Sequence, residues 1–275
     1  MSSLFIDNNE FIITIEVVPP LGNDPERLLE KLSNLSGLPF HAFSVASNPV
    51  AKPRMSAMVF THLIQKATKK PAILHCTIRD HNRLGLQSEL WGAKALGIDT
   101  VIAVTGDPSA SKAEEITSTV GDLNVCQLIT MARDSDLYTG AVLDFRPEVD
   151  GLEHEAKRLE KKVAAGCQFI VTQPVYDEQT ATQIHAAARH LKVPIIMGIL
   201  PLLSYKHAIF LHDKVDGIAV PEILRQQMKK AEDPVKEGVS QARQMLELAR
   251  KMYSGACIMP PFERFDILTD ILLSS

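Results

Sequence analysis

Residues 72–108, AILHCTIRDHNRLGLQSELWGAKALGIDTVIAVTGDP, decide how this chain folds. An apolar run from Ala72 breaks into the polar cluster His75-Cys76-Thr77-Ile78-Arg79-Asp80. From Leu84 to Leu96 the apolar residues recur at spacings of three and four, and Gly97-Ile98-Asp99 then turns the chain into a second apolar run, Thr100 to Thr105, ending in Gly106-Asp107-Pro108. Glycine supplies the left-handed helix stop, so the segment reads strand, helix, strand. In parallel α/β proteins the carboxyl ends of the strands are where loops converge on ligands, and both polar clusters fall at such ends.

The unit recurs in both directions. Candidate strands begin near Phe11, His41, Ala72, Thr100, Thr139, Gln168, Pro194 and Asp216, at intervals of 22 to 39 residues, the length of one βα unit. Helical periodicity lies between them at Pro25–Leu35, Met55–Thr68, Glu153–Ala165, Glu178–Leu191 and Tyr205–Asp213. Further turns enter strands at Gly37-Leu38-Pro39, Lys70-Pro71, Gly166-Cys167 and Val193-Pro194, since proline cannot continue a helix. Eight units predict a closed (β/α)8 TIM barrel spanning 1–275 as a single domain, with an open doubly wound sheet as the alternative. Pro234–Tyr253 reads as a long helix after the eighth strand, and Ile258-Met259-Pro260-Pro261-Phe262 as an extended closing segment. The widest interval follows Thr105 and holds the polar run Ser109 to Glu115, which reads as a cofactor or substrate loop.

Composition narrows the function classes. The 275 residues are 45% hydrophobic and 23% charged, as in ordinary globular domains. No long uncharged apolar stretch and no basic leader is present, so a soluble cytoplasmic protein is expected. A net charge of -4 without a Lys/Arg block argues against nucleic acid or an anionic membrane as the main partner. Cys76, Cys126, Cys167 and Cys257 form no CxxC pair and the histidines no HExxH, so no metal site is expected. Neither G-x-G-x-x-G nor a P-loop occurs, so any nucleotide must bind to the barrel loops.

Small-molecule chemistry then rests on the strand ends. In Ile12-Ile13-Thr14-Ile15-Glu16-Val17, alternation puts Ile13, Ile15 and Val17 toward the helices and Glu16 toward the barrel mouth. A carboxylate there is either a proton-transfer group or a structural residue bonded to a neighbouring strand. Asp107 would be a second carboxylate in the same mouth, and two such groups facing one ligand separate in acidity. Gln173, ending an apolar strand, could read a planar heterocycle through paired donor and acceptor. The cluster His75, Thr77, Arg79, Asp80, Asn82 is either functional or a solvated loop, and Arg158 and Lys162 either surface charges or a phosphate contact.

The blocks IEVVPP, HCTIRDHNRLGLQSELWGAKALGIDTVIAVTGDP, TQPVYD, GILPL, FLHDKVDGIAVPE and IMPPFERF, in this order, closely resemble the methylenetetrahydrofolate reductase family. The resemblance is nearest to the reductase half of bifunctional homocysteine methyltransferase/reductase proteins. It implies a barrel that holds FAD, takes hydride from NADH or NADPH, and reduces 5,10-methylenetetrahydrofolate to 5-methyltetrahydrofolate. Glu16 matches the family's general acid, and Asp107 the aspartate beside flavin and pterin. Gln173 matches the pterin-contacting glutamine, with Tyr176 of the same block on the substrate side. His75, Thr105, Gly106, Glu155 and Lys162 fall at flavin positions, and Asn48, Thr77, Arg79 and Asp144 are carried over as cofactor-side residues. The chain departs from the better-studied bacterial reductases at Thr105, where they have Arg, and at Arg146, where they have an aromatic residue. Partners compatible with the resemblance are a second copy of the chain, a homocysteine methyltransferase and an iron–sulfur electron-transfer protein. Two other readings stay open: a folate-binding methyl-transfer protein, and a folate and flavin subunit that needs iron–sulfur electron input.

Overall fold

The computed structural model describes residues 10–107, 118–143, 151–215 and 217–273. Its first half runs β1 (Ile12–Val17), α1 (Glu26–Ser33), β2 (Ala42–Val45), α2 (Ala57–Thr68), β3 (Ala72–Thr77), α3 (Arg83–Ala95), β4 (Thr100–Val104) and α4 (Val125–Asp134). The second half runs β5 (Tyr138–Leu143), α5 (Leu152–Ala164), β6 (Phe169–Pro174), α6 (Glu178–Ala188), β7 (Ile195–Ile199), α7 (Tyr205–Lys214), α8 (Glu222–Lys230), α9 (Pro234–Met252), β8 (Gly255–Ile258) and α10 (Leu268–Leu273). The eight strands pair in parallel in chain order, and β8 closes the ring on β1.

Strands buried on both faces need two apolar sets. Ile13, Ile15 and Val17 of β1 join the helix-facing core with Leu32, Phe60 and Ile64, whereas Ile73, Ile102, Tyr138, Phe169 and Ile196 fill the barrel interior. Tyr138 and Phe169 stack with ring centroids 5.6 Å apart. Room for them comes from Gly140, where a Cβ would lie 2.3 Å from the Phe169 ring. The interior is thus a packed core rather than a pore, and it leaves the carboxyl ends of the strands as the open face. Side-chain caps at Asn82, Asn124, Asp177, Ser204 and Asp233 fix where five of the helices begin, which accounts for Asn82 without a ligand.

The eighth strand requires a correction. Ile218–Val220 of DGIAV is not a strand; Ile218 and Val220 are buried with Leu202, Ala208, Leu211 and Leu224, against α7 and α8. Gly217 at φ +82° and Pro221 bound the run to three residues, of which Ile218 and Val220 pack against the α7 and α8 residues instead. The place beside β7 belongs to Gly255–Ile258, paired Ile196↔Gly255 on one side and Ile12↔Gly255 on the other. The long helix α9 therefore precedes the last strand, and three helices, α4, α8 and α10, stand where none had been assigned. The polar run Ser109 to Glu115 lies outside the described residues, as do Asp144 and Arg146.

Candidate active site

A cavity of about 380 Å³ opens at the carboxyl ends of the strands. Strands and their following loops bring Glu16, Ser44, His75, Thr77, Thr105, Gly106, Asp107, Gln173 and Cys257 to its wall, and α5 adds Lys162. Ile102, Val104, Val142, Val171 and Met259 supply apolar surface between them. Two shallower clefts, of about 550 and 690 Å³, run along α9 on the outer wall and hold none of these strand-end groups.

Glu16 faces this cavity, and no side-chain hydrogen bond ties its carboxyl to the described residues. Desolvation, and then the negative charge of Asp107, push its pKa up to about 7. The structural alternative of a Glu hydrogen-bonded to a neighbouring strand is therefore not what the barrel contains. Asp107 is exposed at the mouth, where one carboxylate oxygen, Oδ2, accepts the Val50 amide at 2.5 Å. The two carboxyls thus differ in environment: one largely desolvated with its pKa near 7, the other exposed.

Below Glu16 lies a polar layer that the sequence reading missed. β1 and β2 are in register so that Glu16 pairs with Ser44, whose Oγ is 2.8 Å from Nε2 of His75. Burial lowers the His75 pKa to about 4, so its imidazole is neutral at physiological pH. Cys257 lies within hydrogen-bonding reach of Thr14 and Ser44, and burial first and Glu16 second push its thiol up to about 12. An inert thiol is what such a site contains. Alternation from Ala42 would have placed Ser44 inward, the signal by which it was findable.

Arg79, Asn48 and Asp80 stand behind the cavity wall and form a clamp. Arg79 is 4% exposed; its Nε and Nη2 bond the two Asp80 oxygens at 2.6 and 2.8 Å, a bidentate pair. Nη2 also donates to the Asn48 carbonyl at 3.1 Å and Nη1 to the Asp107 carbonyl at 3.0 Å. Asp80 Oδ2 further accepts from Asn48 Nδ2 at 3.1 Å and Thr77 Oγ1 at 3.0 Å. Gly106 makes this possible: at φ +87° it turns the chain, and a Cβ there would lie 3.0 Å from Arg79 Cβ. Asn48, Val50 and Ala51 hold φ of +43°, +51° and +54°, a left-handed run that costs on the order of 1–3 kcal/mol per residue without glycine.

On α5, Lys162 is buried rather than on the surface, with Nζ donating to the Val142 carbonyl at 2.5 Å. Glu155 is fully buried; Oε1 accepts from Arg158 at 2.6 Å, while Oε2 has no hydrogen-bond partner among the described residues. Gln173 sits on the cavity wall opposite Gly217, where a Cβ would lie 3.2 Å from its Cγ. Tyr176 is not on that wall; it is buried in the cluster with Leu202 and Ile218, its hydroxyl without a partner among the described residues. Among the described residues no helix is long and apolar enough to cross a membrane.

Residues 3–260 match the family model described as methylenetetrahydrofolate reductase. Similar proteins include a probable methylenetetrahydrofolate reductase (NADPH) of Caenorhabditis elegans, 24% identical over 73% of this chain, and the 5,10-methylenetetrahydrofolate reductase of Salmonella typhimurium, 25% identical over 71%. The chain spans 32% of the first and 66% of the second. Among solved structures, a Clostridium thermocellum protein described as binding two copies of 5-methyl-5,6,7,8-tetrahydrofolic acid shares the fold, with a TM-score of 0.67 at 19% identity, over 96% of this chain and 93% of that one. A 2,3-dimethylmalate lyase follows at a TM-score of 0.56 and 12% identity, over 95% and 78%.

Proposed function

Since the chain belongs to the methylenetetrahydrofolate reductase family, we propose that it reduces 5,10-methylenetetrahydrofolate to 5-methyltetrahydrofolate with FAD, using NADH or NADPH as donor. The observation that carries this is Glu16: a carboxyl whose pKa burial raises to about 7, with no hydrogen bond from the described residues, facing one cavity with Asp107 and Gln173. Ring opening of the substrate needs a proton at the departing amine nitrogen, and Glu16 is the group able to hold and deliver it. Asp107, at the mouth, is placed to stabilise the positive charge that develops on the neighbouring pterin nitrogen. The Gln173 amide offers both a donor and an acceptor to the pterin edge.

The residues present fit a flavin. Val142 and Val171 give the cavity apolar walls suited to a planar ring, and Lys162 adds a polar group to the same wall. His75, Thr105, Gly106 and Lys162 would hold the group, and FAD when bound would supply the hydride chemistry. Folate as the bound class is supported by the description of the Clostridium thermocellum neighbour, and NADPH by that of the Caenorhabditis elegans relative.

Anaerobic mixing of the FAD-reconstituted protein with 5-methyltetrahydrofolate tests the reading. Bleaching of the flavin absorbance well above the rate of free FAD is expected. An unchanged spectrum with FAD bound would overturn the reductase assignment, and failure to bind FAD would turn it toward folate binding without flavin.

A further inference from the structure

Arg79 does not itself line the cavity, yet it reaches three strand-end loops at once. Its guanidinium donates to carbonyls at Asn48 after β2 and Asp107 after β4, and it is paired with Asp80 after β3. Its own carbonyl accepts the Val120 amide at 3.0 Å, which ties in the far side of the loop between β4 and α4. The loop after β2 would not hold its left-handed run at Asn48, Val50 and Ala51 unaided, because none of the three is glycine. That run is what aims the Val50 amide at Asp107 Oδ2. The other Asp107 oxygen has no protein donor among the described residues.

We propose that the Arg79–Asp80 pair is a positioning device for Asp107. It fixes the loop after β2 so that the Val50 amide captures one carboxylate oxygen and leaves the other to face the ligand. Arg79 and Asp80 are on this account positioning residues, and the arginine is spent on the protein rather than on a cofactor phosphate. The role of Asp107 toward the ligand rests on the proposed reductase reaction.

Arg79→Lys is the test variant, because lysine keeps the charge and loses the planar fork. Two readouts are needed. Hydrogen exchange should show the peptide containing Val50 losing protection, with the β1 and β8 peptides unchanged. A double-mutant cycle with Asp107→Ala, read on the rate of flavin reduction by 5-methyltetrahydrofolate, supplies the second. Arg79→Lys alone should slow that step by about 3- to 100-fold, the range of couplings between contacting residues, and should cost little more once Asp107 is gone. An additive penalty, or unchanged exchange at Val50, would overturn the inference. If the wild-type protein shows no folate-driven flavin reduction, the reductase reading falls instead, and the exchange experiment alone decides whether Arg79 holds the loop. Should Arg79→Lys not fold, Thr77→Val removes one donor to Asp80 and should give the same pattern at smaller size.

Discussion

Glu16→Gln gives the most direct access to the electrostatics of the cavity, because the change removes a titration and little volume. Folding holds this carboxyl at about 7 against an ordinary 4.5. A carboxyl that binds its proton more tightly folded than unfolded costs nothing below pH 4.5. The cost grows as pH rises and is complete above about 7. At about 1.4 kcal/mol per pH unit, the full cost is about 3 kcal/mol. A neutral glutamine escapes it, so the variant should match wild type near pH 4.5 and be more stable by about 3 kcal/mol at pH 8. For a urea slope of about 3 kcal/mol/M, the midpoint should rise by about 1 M. His75 pulls in the opposite sense, since burial lowers its pKa and so costs stability as pH falls from 6.5 toward about 4. It is present in both proteins, and comparison at each pH cancels it. Urea unfolding at pH 5, 6.5 and 8 is the assay. A difference that is constant with pH would mean that Glu16 titrates normally. One that favours wild type increasingly at high pH would mean that the carboxylate is stabilised in its charged form, and a proton-donor role would fail with it.

Three further outcomes are expected. In the folate half-reaction the same Glu16→Gln variant should bind FAD normally and lose about 10²–10⁴ in rate, the usual contribution of general acid catalysis, and a loss below tenfold would count against that role. Gln173→Ala should weaken folate binding by about tenfold, the value of one hydrogen bond, with flavin content intact by absorbance; loss of flavin instead would misplace the pterin. Gly140→Ala, whose Cβ would meet the Phe169 ring at 2.3 Å, should destabilise the barrel by about 1–3 kcal/mol in thermal or urea unfolding. Gly37→Ala, which has open space around it, is the control and should change little.

Seven strands were legible as apolar runs, five of them entered through a Gly or Pro turn. The eighth misled for a physical reason. Gly255-Ala256-Cys257-Ile258 is built of small residues, because it is wedged between two strands at the seam of the ring. At Gly255 a Cβ would lie 2.3 Å from the Ile12 carbonyl. Small residues carry little strand signal, whereas DGIAV has the β-branched run that a strand usually shows. The helix α4 was hidden in a segment read as loop, although Asn124 and Gln127 form a capping box that marks its start. At the site, Glu16, Asp107 and Gln173 followed from alternation and strand ends. The burial of Lys162, the Ser44–His75 bond and the Arg79 clamp did not, since each depends on which loops meet across the barrel.

The seam itself bears on how the acid comes into being. β8 lies between β1 and β7, and Thr14 stands opposite Cys257 across it, directly beneath Glu16. These partners come from opposite ends of the described chain, so the contact is among the most non-local in the molecule, and non-local closure is slow. Until the ring shuts, the inner face of β1 would be open to water, and Glu16 is expected to have the acidity of a carboxyl on an unfolded chain. Weak acidity at this position is therefore a product of completed assembly. A refolding experiment that follows the protonation of Glu16 would report the arrival of the last strand.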